Sequence, residues 1–558
     1  MSVTILILVL LVGAVVFVAA ATRRLQDQAL TGQMFRRGFQ YVLLYALILV
    51  VANGAADLLG RLLAPQMAAN DEYQLAQSLT AIVIALPIGV VLTWWVARTH
   101  RNNPSERDSL LYQSFLTAGA LTGAALTASA LQQVLTTAIG SAALNTQALA
   151  ELMIWTIVWA GHWQLIARTL VPVNTVAHLL LGSALGLVLA TGGLIDLLTN
   201  ALTLFTGPPL LVGAYVGLGA AAGMFVSGAI IWVVYWLVSA SRMPRGAAWH
   251  AFVLLLGVAG GLVTGLVGAQ GLLWYGLVQM VGRPRLFGSW LEWPEAVAAL
   301  VIGATVWWYH RAILGPTPHT SVRRIYFYLV SGISVLATAA GIGLLVVALI
   351  DAIAPASLFH HPMNTLLGAL TLLVIGAGVW WLHWRTIQQR AQDDPETELA
   401  TASRRIYLVI LLGGSGVVVV IALIAAVVDV VHDIMQGQLS LATLYTIRTE
   451  LGFIAASTAL IAYHGAILRQ DQSQGPVTAP LRRGTLTLIG PSDPGLVAVV
   501  AEHIDGPVRL LAIELATTWD TDAILAALDT YEPEDDLVII ARDGGIEAHP
   551  AEALRYLQ

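Results

Sequence analysis

From about residue 35 to residue 470 the chain repeats one pattern: a long apolar run, a short loop, a second apolar run, and an arginine-bearing break. Twelve runs form six pairs, 38–63 with 78–97, 109–138 with 149–168, 174–205 with 210–239, 247–280 with 295–313, 324–352 with 364–385, and 405–434 with 447–468. Each reaches or approaches the ~20 apolar residues needed to cross a hydrocarbon core of about 30 Å. In lipid every backbone N–H and C=O must be satisfied within the protein, so unbroken runs of this length have to be helices. Charged residues make up 11% of the 558, against about a quarter in soluble domains. Most of the chain is therefore expected in lipid.

The pairs are copies of one unit. S-V-R-R-I-Y-F-Y-L-V from Ser321 returns as A-S-R-R-I-Y-L-V-I-L from Ala402, and their second runs close in V-W-W-L-H-W from Val379 and A-Y-H-G from Ala462. The breaks between pairs hold Arg98, Arg101, Arg107, Arg168, Arg242, Arg245, Arg323, Arg324, Arg390, Arg404 and Arg405. The loops within pairs are poorer in Arg and hold Asp71, Glu72, Glu292, Asp351 and Asp433. The positive-inside bias places the between-pair loops and the C-terminus in the cytoplasm, with Arg61, Arg283, Arg285 and Arg448 running against it. Two-helix repeats entering from one side are parallel repeats, unlike the inverted repeats of many transporters.

Residues 1–22 read as an N-terminal signal-anchor helix, apolar and followed by Arg23 and Arg24. The pairs group as membrane modules 36–169, 172–314 and 321–470, then a linker, 471–483, and a soluble domain, 484–558, whose strand and helix patterns alternate as β-α-β-α-β. The expected fold is an all-α polytopic membrane protein of about 13 transmembrane helices and six helix-pair repeats, with a small C-terminal α/β domain. Gly257, Gly261 and Gly265, and Gly219, Gly223 and Ser227, form small-residue faces suited to close helix packing.

Two sets of recurrent residues are candidates for function. Near the far end of the first helix of a pair lie Asp57, Asp196, Asp351 and Asp429, with Gln132 or Gln133 and Gln270 in units lacking the acid. Intramembrane carboxylates are costly and mark ion or proton sites, or reach headgroup water from a helix end. Near the close of the second helix aromatic residues gather with histidine: His162, Trp308, His310, Trp381, His383 and His464. Trp and Tyr suit the membrane interface, so this set reads as interface anchors. Haem b held by two such histidines is the alternative. His360, His361 and His432 match no tight metal motif.

The chain has no Cys and its 27 basic residues are all Arg, which excludes thiol and Schiff-base lysine chemistry. The tail's G-P-S-D-P-G lacks a P-loop lysine. With no catalytic constellation, the chain reads as a non-enzyme. The lipid bilayer is its first partner, protein partners are expected through the C-terminal domain, and a net charge of -6 suggests no nucleic acid.

The unit R-R-x-Y-x-Y-L-V…D…W-W-x-H-W, clearest over 321–470, resembles a bacterial membrane family catalogued as a domain of unknown function (number 5671). The resemblance implies four-helix modules made from two pairs, and no activity. The function expected is a scaffold, sensor or subunit of a larger membrane assembly, with a channel or secondary transporter using the Asp/Gln positions as the alternative.

Overall fold

A computed structural model describes residues 32–64, 72–140, 144–206, 213–282, 292–315, 320–354, 362–393, 395–473, 486–504, 508–513, 518–528, 530, 536–542 and 545–550. Twelve long helices realise the twelve runs. They are α1 (Gly32–Leu63), α2 (Glu72–Asn102), α3 (Leu110–Ile139), α4 (Thr146–Thr169), α5 (Val176–Thr206), α6 (Gly213–Trp232, continued by a π turn at Val233–Leu237), α7 (Ala247–Met280), α8 (Trp293–Leu314), α9 (Thr320–Ile353), α10 (Pro362–Asp393), α11 (Ala402–Met435) and α12 (Arg448–Ser473).

Eleven helices among the described residues are long and apolar enough to cross a membrane, which makes this an integral membrane protein. These eleven fall short of the expected count of about 13. Helix α4 has the length but is not among the eleven, and it carries Glu151, His162, Gln164 and Arg168. The expected anchor at 1–22 lies outside the described residues.

Local chemistry sets the helix ends. Ser109 and Asn145 cap α3 and α4 by accepting the backbone N–H groups of Tyr112 and Ala148. Pro294 sits in the first turn of α8, and Gly315, at φ 85°, follows its last residue.

The chain forms two compact units: Met1–His383 with Val419–Ala456, and Trp384–Val418 with Ser457–Gln558. In the first unit helices approach through glycine. A Cβ on Gly261 of α7 would lie 2.4 Å from the Trp307 backbone N of α8, and one on Gly223 of α6 would lie 2.5 Å from the Gln132 Cα of α3. Both small-residue faces are thus used for packing inside the chain. Contacts this close replace the hydrophobic drive that lipid does not supply.

The second unit contains the α/β domain: β1 (Leu486–Gly490), α13 (Pro494–Ile504), β2 (Val508–Ala512), α14 (Thr521–Leu528), β3 (Leu537–Arg542) and β4 (Gly545–Pro550). The sheet order is β2-β1-β3-β4, with β1 parallel to β2 and β3, and β4 antiparallel to β3. Leu486, Leu488, Val500, Ile524, Leu537 and Ile539 form its core. Strand β4, unanticipated, reads G-I-E-A-H-P. It is polar and proline-ended, which only an edge position tolerates.

Candidate functional site

The carboxylates near the far ends of the first helices are used differently from one helix pair to the next. Asp57 is buried and accepts from Arg61 Nε at 2.9 Å, Gln74 Nε2 at 2.9 Å and Ser78 Oγ at 2.6 Å. Asp351, 3% exposed, pairs with Arg448 Nε at 3.1 Å. The Arg448 guanidinium also lies over the Tyr445 ring at 3.7 Å. Two arginines that run against the charge bias are therefore the ion-pair partners of two recurrent aspartates. Arg283 and Arg285 lie outside the described residues.

Asp196 is exposed and Asp429 half-buried, and neither has a side-chain hydrogen bond or ion pair among the described residues. Gln270 donates from Nε2 to Thr371 Oγ1 at 3.3 Å. Gln132 packs on Gly223, and Gln133 Nε2 reaches the Ser129 carbonyl at 3.5 Å. No hydrogen bond among the described residues joins any two of Asp57, Asp196, Asp351, Asp429 and Gln270. His360 and His361 lie outside the described residues, and His432 is exposed.

The aromatic–histidine set divides between two environments. Trp308 and Trp381 are exposed, at 65% and 58%, whereas His162, His310 and His464 are buried and His383 is half-buried. One geometry recurs: Nδ1 of His162, His310, His383 and His464 meets the carbonyl four residues earlier, on Val158, Val306, Val379 and Leu460, at 2.8 to 3.1 Å. A carbonyl only accepts, so Nδ1 carries the proton and Nε2 presents a lone pair to the partner helix. Tyr407 O–H meets Nε2 of His464 at 3.2 Å, and Tyr41 O–H meets Nε2 of His100 at 3.1 Å.

In the second and fourth pairs that slot holds glycine, and the imidazole presses on backbone. A Cβ on Gly119 would stand 2.3 Å from His162 Nε2, and one on Gly257 would stand 2.2 Å from His310 Cγ. Nδ1 of each ring is taken by its own helix and Nε2 is buried, so His162 and His310 leave no room for a porphyrin and do not fit haem. The third pair, which lacks the histidine, fills the position with Tyr235 against Gly182. The π turn at Val233–Leu237 lets neighbouring Tyr235 and Trp236 both point inward, each fully buried. Trp159 Nε1 donates to Tyr235 Oη at 3.0 Å, Trp236 to Tyr309 at 2.9 Å and Trp384 to Tyr463 at 2.7 Å. These links tie one pair to the next, and the sequence reading missed them.

It also missed the acids that the Arg–Arg motif holds. Arg36 and Arg37 grip Glu106 at 3.0 and 2.7 Å, and Arg404 holds Asp471 through two bonds of 2.7 and 2.8 Å. The signal was present: an acid six residues after His100 and seven after His464. In the first and last pairs Arg, Tyr, His and acid thus lock the first helix to the second or to the turn just beyond it.

Glu106 lies outside the spans and is 5% exposed. Burial pushes its carboxyl up, but the hydrogen bond and charge of Arg37 and the charge of Arg36 outweigh that and hold it below the usual carboxylate range. A depressed folded value stabilises fully above the ordinary glutamate value of about 4.3, and the stabilisation is lost as pH falls through the lower folded value. Glu106→Gln is therefore expected to cost about 2 kcal/mol near neutrality. Thermal unfolding of both forms across pH checks this: the gap should hold down to about pH 5 and close in acid. A gap that does not vary with pH refutes the charge assignment.

Two stretches, 37–161 and 324–463, match the family model described as Domain of unknown function (DUF5671). No curated protein and no solved structure matches the chain. Each match starts at the second arginine of an Arg–Arg pair, Arg37 or Arg324, and stops one residue before the equivalent histidine, His162 or His464. Each therefore spans two helix pairs in the same register. The chain carries two copies of this domain of unknown function, DUF5671.

Proposed function

We propose that the protein is a non-enzymatic scaffold, or a subunit of a larger assembly, in a bacterial plasma membrane, with the α/β domain in the cytoplasm. The observation that carries this reading is how the buried charges are used. Asp57 is saturated by three donors and Asp351 is held by Arg448, so both carboxylates brace helices. A carrier needs carboxylates that exchange partners along a path.

The tail supports recruitment. β2 is an edge strand with Arg509, Leu511, Ala512 and Ile513 exposed, an arrangement that accepts an added strand from a partner. Native mass spectrometry of gently extracted membranes should find a stoichiometric companion subunit, released by Leu511→Arg and retained by Asp196→Asn. The transport alternative rests on Asp196, exposed within α5 with no side-chain partner among the described residues. A companion-free particle whose flux in proteoliposomes is abolished by Asp196→Asn would replace the scaffold reading with transport.

A further inference from the structure

Within the first unit, α7, α9 and α10 enclose a recess of about 570 Å3, the size of a small-molecule site. It spans Asn364 to Gly376 on α10, thirteen residues or about 18 Å of helix. That is more than half of a hydrocarbon core of about 30 Å, so the occupant is a long chain rather than a compact solute. Val263, Leu336, Leu344 and Ile375 are among its walls, and no lining residue is ionisable. A recess of this kind inside a membrane span draws hydrocarbon rather than water.

One part of the lining is polar. Trp274 Nε1 donates to the Asn364 carbonyl at 2.9 Å, joining α7 to the start of α10. One turn earlier on α7, Gln270 donates to Thr371 Oγ1, whose hydroxyl donates to the Gly368 carbonyl at 2.9 Å. These bonds fix the Gln270 amide. Its Oε1 and second N–H have no partner among the described residues, and Gln270 is one of the residues that line the recess. Leaving them unmet in apolar surroundings costs as much as a lost hydrogen bond. An anionic head has no cation here to offset its desolvation. A neutral carbonyl or hydroxyl meets both needs.

We propose that this recess binds one long-chain, uncharged membrane lipid whose carbonyl or hydroxyl head hydrogen-bonds to the Gln270 amide. The site goes beyond the scaffold reading and does not depend on it.

The test is quantitative lipid mass spectrometry on the full chain extracted with its native lipids, compared with the whole membrane. An uncharged lipid at close to one per chain is expected, enriched over phospholipid. A redox-active ultraviolet chromophore identifies a quinone, and a glycerol backbone identifies a diacylglycerol. Gln270→Leu keeps the volume and removes the head contact, and should lower occupancy about tenfold. At Gly368 a Cβ meets only Trp274, at 3.5 Å, so Gly368→Leu enters the recess and should empty it. Gly378→Leu, with nothing within 4 Å of its Cβ, should leave occupancy unchanged. Phospholipid in bulk proportion from the wild-type chain overturns the proposal without recourse to a variant. So does an uncharged lipid retained equally by all three variants.

Discussion

Replacing Asp351 with leucine should destabilise the protein by about 3–5 kcal/mol, the cost of leaving a buried charge without its partner. Asp351 is 3% exposed and Arg448 stands 3.1 Å away, so removing the carboxylate leaves the guanidinium only the Tyr445 ring and carbonyl as partners. Each charge also sits at the wrong end of its own helix. Asp351 is in the last turn of α9 and Arg448 is the first residue of α12, whereas the helix dipole favours cations at C-termini and anions at N-termini. Arg448 also has a local contact, the Tyr445 ring and carbonyl, whereas Asp351 faces no partner but Arg448 among the ion pairs of the described residues. Exchanging them, Asp351→Arg with Arg448→Asp, keeps the pair and corrects both dipole contacts, and should restore most of the loss. Thermal unfolding of the two singles and the double in lipid nanodiscs measures the coupling. Additive effects would mean that the two side chains do not act as a pair.

This pair shows how far the sequence could be read. Helix positions and pairing were legible because unbroken apolar runs admit one solution in lipid. Asp57 and Asp351, and the arginines that broke the charge bias, were all visible. That Arg61 answers Asp57 and Arg448 answers Asp351 was not, because hydropathy does not say which helices touch. The same limit applied to the aromatic clusters. In water a buried face is the apolar one, but lipid is as apolar as the protein interior, so Trp308 at 65% exposure and His310 at 0% look alike in sequence. In the C-terminal α/β domain the pattern located three strands, since alternation there reports burial. It missed β4, whose polar and proline residues suit an edge.

Glycine spacing was legible too, and the contacts across it separate positions that the sequence treats as equal. Gly257, Gly261 and Gly265 follow one another at four-residue intervals on α7. A Cβ at Gly261 would lie 2.4 Å from the Trp307 backbone N and 3.0 Å from the Gly303 carbonyl, so α8 itself would have to move. A Cβ at Gly265 reaches only ordinary contact with Ala304 N at 3.4 Å, and one at Gly260 has nothing within 4 Å. Gly261→Ala should therefore cost about 3 kcal/mol, the upper range for overpacking, because backbone cannot rotate away as a side chain does. Gly265→Ala should cost well under about 1 kcal/mol, and Gly260→Ala should be neutral or stabilising by up to about 1 kcal/mol through helix propensity. All three changes add one methyl group to one helix, so thermal unfolding under identical conditions isolates the approach of α7 to α8. Equal effects at the three positions would show that these backbones do not meet at Gly261. The predicted order, large then small then none, requires that they do.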